Sequence, residues 1–389
     1  MRYSGKIVGW HHLPFGKHVE DVEDLAVQAV QGALLHAGIA ASEVDAIYAG
    51  QFNEGFSPQG FPASLALQAD DELRFTPATR VENACATGSA AVQQGLQAIE
   101  SGSARTVLVV GFEKMSGVSG REVGEILLRA SYVREEAQIP GGFAGVFGKI
   151  AEQYFTRFGD QTEALAHIAC KGHRNGAKNP LAHLRRELPL AFCLEPSDKN
   201  PRVAGPLKRT DCSPVSDGAA ALVLQAPEAA SGKDRQIGFR AAVHVQDFLP
   251  MSRRNIVEFE GCREAWGRAH RVAGTNLEEL SLVETHDCFT IAELIEMEAM
   301  GLAPLGQAGN LIKEGQTEIG GRLPINPSGG LKAKGHPIGA TGVSMHILAA
   351  EQLCGEAGEL QVHNPQLAGV FNMGGAAVAN YVSILEREG

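Results

Sequence analysis

Hydrophobic and polar positions change period several times along the chain. From Asp21 to His36 ("DVEDLAVQAVQGALLH") the apolar residues recur at helical spacing, which predicts an amphipathic helix. "EVDAIYAG" (43–50) predicts a strand, "SAAVQQGLQAIESG" (89–102) a helix stopped at glycine, and "ARTVLVVGF" (104–112) a buried strand. Strands alternating with helices predict an α/β fold around a largely buried sheet. Residues 119–215 break the rhythm with "IPGGFAGVFG", "NGAKNP" and "SDKNPRVAGP", Gly-, Asn- and Pro-rich stretches around shorter helices such as 147–158. "AAALVL" (219–224) then predicts a strand that returns to the first sheet, and from about 236 the strand–helix rhythm resumes.

The two regular regions echo each other. "ATGSAAVQQGLQAI" begins at Ala86 and "ATGVSMHILAAEQL" at Ala340, each opening what reads as an amphipathic helix. This implies an internal duplication: an N-terminal half (1–118, with a return strand at about 216–230), an inserted loop domain (119–215) and a C-terminal half (231–389). Packed as pseudo-twofold mates, the two "ATG" helix starts would share one site and bring together Cys85 and His336.

Composition narrows the function classes. A chain of 389 residues, 44% hydrophobic and 20% charged, fits a globular protein of two domains or one duplicated domain. The net charge of −11 argues against nucleic acid or an anionic membrane as the main partner. Seven cysteines without a CxxC pair argue against a zinc site and a disulfide framework, so free thiols in the cytoplasm are expected. No run of about 20 apolar residues suggests a membrane span, and "MRYSGKIVGW" lacks the apolar core of a signal peptide.

Several residues can carry chemistry. Cys85, in "VENACATGSAA", stands at a helix entry, where unpaired N–H groups favour a thiolate; a plain core cysteine is the alternative. His336, in "KGHPIGATG", is held extended by Pro337 and suits a base, or an imidazolium partner, for that thiol. "THDCFT" (285–290) places His286, Asp287 and Cys288 in a row after an apolar run, and by itself it could be only a strand end. The glycines of "NMGGAAV" (372–378) can present N–H groups to an oxyanion or form a plain turn. The basic stretch His173–Arg186 suits phosphate or solvent equally, and "GGFAGVFG" (141–148) suits a lid over an acyl chain or ordinary packing.

Together, "ENACATGSAA", "CSPVSDGAAALVL", "NPSGGLKAKGHPIGATG" and "GVFNMGGAAVANYVSIL" resemble the thiolase family over nearly the whole chain. The resemblance implies a thiolase fold: two similar α/β halves in a five-layer α-β-α-β-α core with an inserted loop domain. It implies Cys85 as the acyl-accepting nucleophile, His336 as its activator and a contributor to one oxyanion site, and the N–H groups of Cys85 and Gly374 as another. Acyl-CoA and CoA are then substrates, with no bound cofactor and no metal, and a dimeric or tetrameric homo-oligomer is expected. A small partner protein is left open. Most thiolases have Asn-Glu-Ala-Phe where this chain has His286-Asp287-Cys288-Phe289, and Cys-x-Gly where it has Asn372-Met373-Gly374. Both departures resemble the sterol-carrier-protein type. In that type Cys288 takes over proton transfer at the α-carbon, and His286 orders an oxygen in the first oxyanion site.

The implied reaction is thiolytic cleavage of a 3-ketoacyl-CoA, or the reverse Claisen condensation, in lipid metabolism such as fatty acid degradation. Two other readings stay open: a ketosynthase-like C–C bond-forming enzyme using Cys85, His286 and His336, and an acyl-CoA-binding subunit with weak activity.

Overall fold

The computed structural model describes residues 2–388. The first half contributes β1 (Tyr3–His12), α1 (Val22–Ala37), β2 (Ala46–Gly50), β3 (Ala78–Val81), α2 (Thr87–Glu100) and β4 (Thr106–Glu113). An excursion follows with α3 (Gly120–Leu127), α4 (Gly142–Phe158), α5 (Thr162–Lys178) and the hairpin β5 (Arg202–Ala204) and β6 (Leu207–Lys208), before β7 (Gly218–Gln225) returns. The second half holds β8 (Ile237–Gln246), α6 (Glu260–Ala273), β9 (Leu282–Glu284), α7 (Thr290–Ala299), α8 (Gly330–Lys334), α9 (Ile338–Cys354), β10 (Leu367–Gly374) and β11 (Ala379–Arg387).

The strands line up as β3-β2-β4-β7-β1-β8-β11-β10-β9. In the first half β3, β2 and β4 are parallel, and β7 and β1 follow antiparallel. The second half repeats this: β9 and β10 are parallel, then β11 and β8 antiparallel. The counterpart of β3 is reduced to a single parallel bridge, Val283 to Ile325. Antiparallel pairing of β1 with β8, from Tyr3 opposite Phe239 to Ile7 opposite Ile237, joins the halves.

Local chemistry sets the helix limits. Asp21 and Asp24 form a capping box at the start of α1, and Gly38 closes it at φ 61°. This helix covers the outer face of the first half through Leu25, Ala29 and Ala33, and α6 covers the second through Cys262, Ala265, Trp266 and Ala269. Between the halves lie α2 and α9, which cross at their "ATG" glycines: a Cβ on Gly88 would sit 2.7 Å from the Gly342 nitrogen. The order helix, sheet, helix pair, sheet, helix is the architecture expected from sequence.

Two details differ from the sequence expectation. The helix at Ala340 is not amphipathic: Ile338 to Ala350 are buried throughout, because α9 packs on both half-sheets at once. The excursion is also more helical than its glycines suggest. "GGFAGVFG" lies largely within α4 and "NGAK" ends α5. Their glycines are points of close approach rather than breaks, since a Cβ on Gly148 would meet Ala204 at 2.9 Å and one on Gly176 would meet Ala333 at 2.7 Å.

The start of α9 is pressed against the ends of β2 and β4. A Cβ on Gly111 would lie 2.9 Å from the Ala340 Cα, and one on Gly339 would lie 2.5 Å from the Gly50 oxygen. Buried Glu113, at the end of β4, accepts hydrogen bonds from the N–H groups of Phe52 (2.9 Å), Asn53 (3.0 Å) and Gly339 (3.1 Å). This contact carries the segment before α9, and His336 with it, to the strand ends where Cys85 stands.

Candidate active site

Cys85 lies in the turn between β3 and α2. Ala84 before it is in the left-handed region at φ 48°, a conformation that costs about 1 kcal/mol or more for a residue with a Cβ. The turn is locked by Thr87, whose hydroxyl donates to the Ala84 carbonyl (2.6 Å) and accepts from the Asn83 N–H (2.9 Å). The backbone N–H of Gly375, at φ 63° just past β10, favours the Cys85 thiolate.

His336 follows Gly335, whose φ of 114° suits only glycine well, and precedes Pro337. Its Nδ1 lies 2.7 Å from the Thr341 hydroxyl, which donates its own hydrogen to the Pro337 carbonyl at 2.8 Å. Nδ1 therefore carries the imidazole proton, and Nε2 is left bare and buried, with no partner among the described residues.

His286 and Cys288 come from the loop after β9. The His286 Nδ1 lies 2.8 Å from the Asn372 amide nitrogen, and its ring meets that of His336 edge-on, centroids 5.0 Å apart at 86°. The Cys85 sulfur and a ring nitrogen from each histidine lie within 4.8 Å of one another. Asp287 turns away from them. It accepts the N–H groups of Leu331 (2.6 Å) and Lys332 (3.2 Å), tying this loop to α8 and the stretch that carries His336. Phe289 stacks on Phe147 of α4, centroids 4.4 Å apart.

Cys85, Cys288 and His336 open onto one cavity of about 670 Å³. Its walls are apolar, with Met115, Val123, Leu127, Phe143, Phe192 and Phe289 among them. Among the described residues no carboxylate lines it, although the chain carries a net charge of −11, and exposed Lys17, Lys199 and Arg209 stand along it.

Residues 6–228 match the family model described as Thiolase, N-terminal domain, and residues 243–387 match Thiolase C-terminal domain-like. The chain belongs to the thiolase family. It is 33% identical over 385 residues to an acetyl-CoA acetyltransferase of Methanothermobacter thermautotrophicus, covering 98% of this chain and 99% of that one. It is also 33% identical over 380 residues to sterol carrier protein 2 of Bos taurus, covering 93% of this chain and 68% of that protein. Among solved structures, an Ltp2-ChsH2(DUF35) aldolase superposes with a TM-score of 0.84 at 21% identity, covering 99% of this chain and 98% of that one. A monomeric SCP2-thiolase like protein type 1 from Mycobacterium smegmatis does so with a TM-score of 0.75 at 18% identity, covering 99% and 78%. Among the described residues, no helix of this thiolase is long and apolar enough to cross a membrane.

Burial sets the protonation of the thiolase site. It pushes the Cys85 thiol up to about 12, against the Gly375 N–H, which favours the thiolate. From sequence, the helix entry was expected to favour the thiolate, and His336 to act as a base or as an imidazolium; burial opposes the thiolate and the imidazolium and leaves the base. Burial, with Lys334 second, lowers His336 to about 3, and burial holds His286 well below its usual range. The resting pair is thus a neutral thiol and a neutral imidazole. Cys288 is pushed well above its usual value by burial, then by Cys85, Glu296 and Asp287, so it rests as a proton-bearing thiol.

The other sequence candidates fall out as follows. His173 and His183 line the cavity, but Asn175 and Asn179 are buried donors to the Asn326 (3.2 Å) and Ser328 (2.8 Å) carbonyls. "GGFAGVFG" forms a helical wall of the cavity. Cys85, His286 and His336 are also the one group among the described residues dense enough to hold a metal. Sequence reasoning raised both glycines of "NMGGAAV" as N–H donors and carried only Gly374 into the oxyanion site. It saw Asn372 only as a missing cysteine and did not reach Thr341 or Glu113.

Proposed function

We propose that this chain is an acyl-CoA-dependent thiolase that forms an acyl-enzyme on Cys85, cleaving a 3-ketoacyl-CoA or running the reverse Claisen condensation. The observation that carries the reading is the meeting of the Cys85 sulfur with His286 and His336 within 4.8 Å, both Nε2 atoms buried and without partners. The bare His336 Nε2 takes the thiol proton as the sulfur attacks the 3-keto carbon. The oxyanion formed is stabilised by backbone N–H groups at Cys85 and Gly374–Gly375. The C2–C3 bond then breaks, and the Cys288 thiol protonates C2, which leaves as acetyl-CoA. Its oxygen is held by donors at the first oxyanion site, where His286 stands. The proton on His336 refills Cys288. CoA thiol then attacks the Cys85 thioester, and its proton returns through His336 to Cys85.

The cavity supports a ligand with an apolar arm and an anionic end, because it has apolar walls, no carboxylate and three exposed cations. That is the character of an acyl-CoA. All seven cysteines are free, which supports a cytoplasmic setting, and a homo-oligomer remains our expectation from the family. The test is to follow turnover and Cys85 acetylation separately. Cys288→Ala should still be acetylated while thiolysis falls by at least about 10²-fold, and Cys85→Ala should lose both. Thiolysis by Cys288→Ala at the wild-type rate would sink the assignment. The Cys-His-His meeting also suits decarboxylative condensation, and faster turnover with a malonyl than an acetyl thioester would favour that reading.

A further inference from the structure

We infer that Asn372 is a positioning residue that fixes the proton of His286 on Nε2, making that imidazole a hydrogen-bond donor to the ligand. Asn372 lies on β10 and is fully buried. Its Nδ2 lies 3.0 Å from the Cys85 carbonyl and 2.8 Å from the His286 Nδ1. A carbonyl can only accept, so the amide face toward Cys85 must be its NH2. A flipped amide would set its oxygen 3.0 Å from the Cys85 carbonyl oxygen and lose that bond, whichever tautomer His286 adopts. The two hydrogens of one nitrogen are then committed, one to the carbonyl and one to Nδ1. An Nδ1 that accepts is bare, so the His286 proton sits on Nε2.

That Nε2–H is buried and has no acceptor among the described residues. An unpartnered buried donor costs about 1–3 kcal/mol, which a ligand oxygen would offset. His336 is set the opposite way by Thr341, with Nδ1 protonated and Nε2 bare. Two edge-on imidazoles 5.0 Å apart thus carry opposite polarity beside the Cys85 sulfur, one as donor and one as base. Asparagine suits position 372 because one short side chain supplies both hydrogens from one atom. Serine has one hydrogen and aspartate has only acceptors. The two departures from the usual thiolase strings become one device: an imidazole at 286 needs its tautomer set, and the amide at 372 sets it.

The catalytic consequence rests on the acyl-transfer reading above, but the test reads the imidazole itself. Two-bond proton–nitrogen NMR on ¹⁵N-histidine-labelled protein, with the His286 signals assigned by their loss in His286→Gln, should show Nε2–H and a bare Nδ1. Asn372→Asp should move a proton to Nδ1 and lower kcat about 10²–10³-fold, the cost of one oxyanion donor, with KM little changed. In a His286→Gln background, where the amide donates regardless of its neighbour, Asn372→Asp should cost less than about 10-fold. An Nδ1–H tautomer in the wild-type protein would overturn the inference, even if Asn372→Asp fails to fold. So would a bare Nδ1 in Asn372→Asp. An Nε2–H tautomer in a protein that never acylates Cys85 would sink the function and leave the inference standing.

Discussion

Gly342→Ala sets two effects of opposite sign against each other where the halves meet. Gly342 is inside α9, so alanine there gains helix propensity worth about 1 kcal/mol. The added Cβ, however, would fall onto the Ser89 amide nitrogen, 2.5 Å from the Asn372 Oδ1 and 2.7 Å from the Gly88 carbonyl carbon. Two of these three atoms are backbone of α2, which cannot move aside without separating the helices. Overpacking of this kind costs about 1–3 kcal/mol and more where backbone must shift. The clash should win, with a net loss of about 2 kcal/mol or more. Gly267→Ala is the control. It also lies inside a helix, α6, but its new Cβ would meet only the Arg271 Nη1, at 3.4 Å. There propensity acts alone and stability should rise by about 0.5–1 kcal/mol. Urea unfolding midpoints, compared at equal slope, read both. A Gly342→Ala midpoint at or above wild type would refute the claim that the "ATG" glycines set the helix crossing.

Three further outcomes are expected. Asp287→Ala orphans the buried Leu331 and Lys332 N–H groups and should lose about 2–5 kcal/mol by urea unfolding, with Asp287→Asn losing less; equal stability of Asp287→Ala and wild type would contradict the tether. His336, lowered to about 3, accepts a proton anywhere above that value and fails only below it. Acetylation of Cys85 should therefore stay level from pH 7.5 to 5, whereas a base at its ordinary value of about 6.5 would slow about 30-fold by pH 5. The helix α3 turns Gly120, Val123, Gly124 and Leu127 to the cavity, and a Cβ on Gly124 would meet nothing within 4 Å. Gly124→Leu should cut kcat/KM for long acyl thioesters about 10-fold or more while sparing acetyl-CoA, and an unchanged chain-length profile would remove α3 from the acyl site.

Much of this arrangement is legible in the residues. The periods of α1, β4 and β7 give the α/β alternation, and the repeated "ATG" points to two halves sharing a site. What stays hidden depends on contacts across those halves. The burial of α9 on every side erases its amphipathic stripe, and the glycines of α4 and α5 read as breaks until Ala204 and Ala333 are seen against them. Cys85 and His336 are identifiable from their strings. Their neutral resting state is not, because helix-end position alone points toward a thiolate and only burial reverses it. The bond from Asn372 to His286 joins residues 86 positions apart, so at sequence level Asn372 registers only as an absent cysteine.

The most direct test of the acyl-enzyme is intact mass of the protein after incubation with acetyl-CoA and acid quench, followed by peptide mapping. One acetyl group per chain, carried on Cys85, absent from Cys85→Ala and discharged by added CoA, is the expected result. An unmodified Cys85 in folded protein, or an acetyl group on another cysteine, would contradict it.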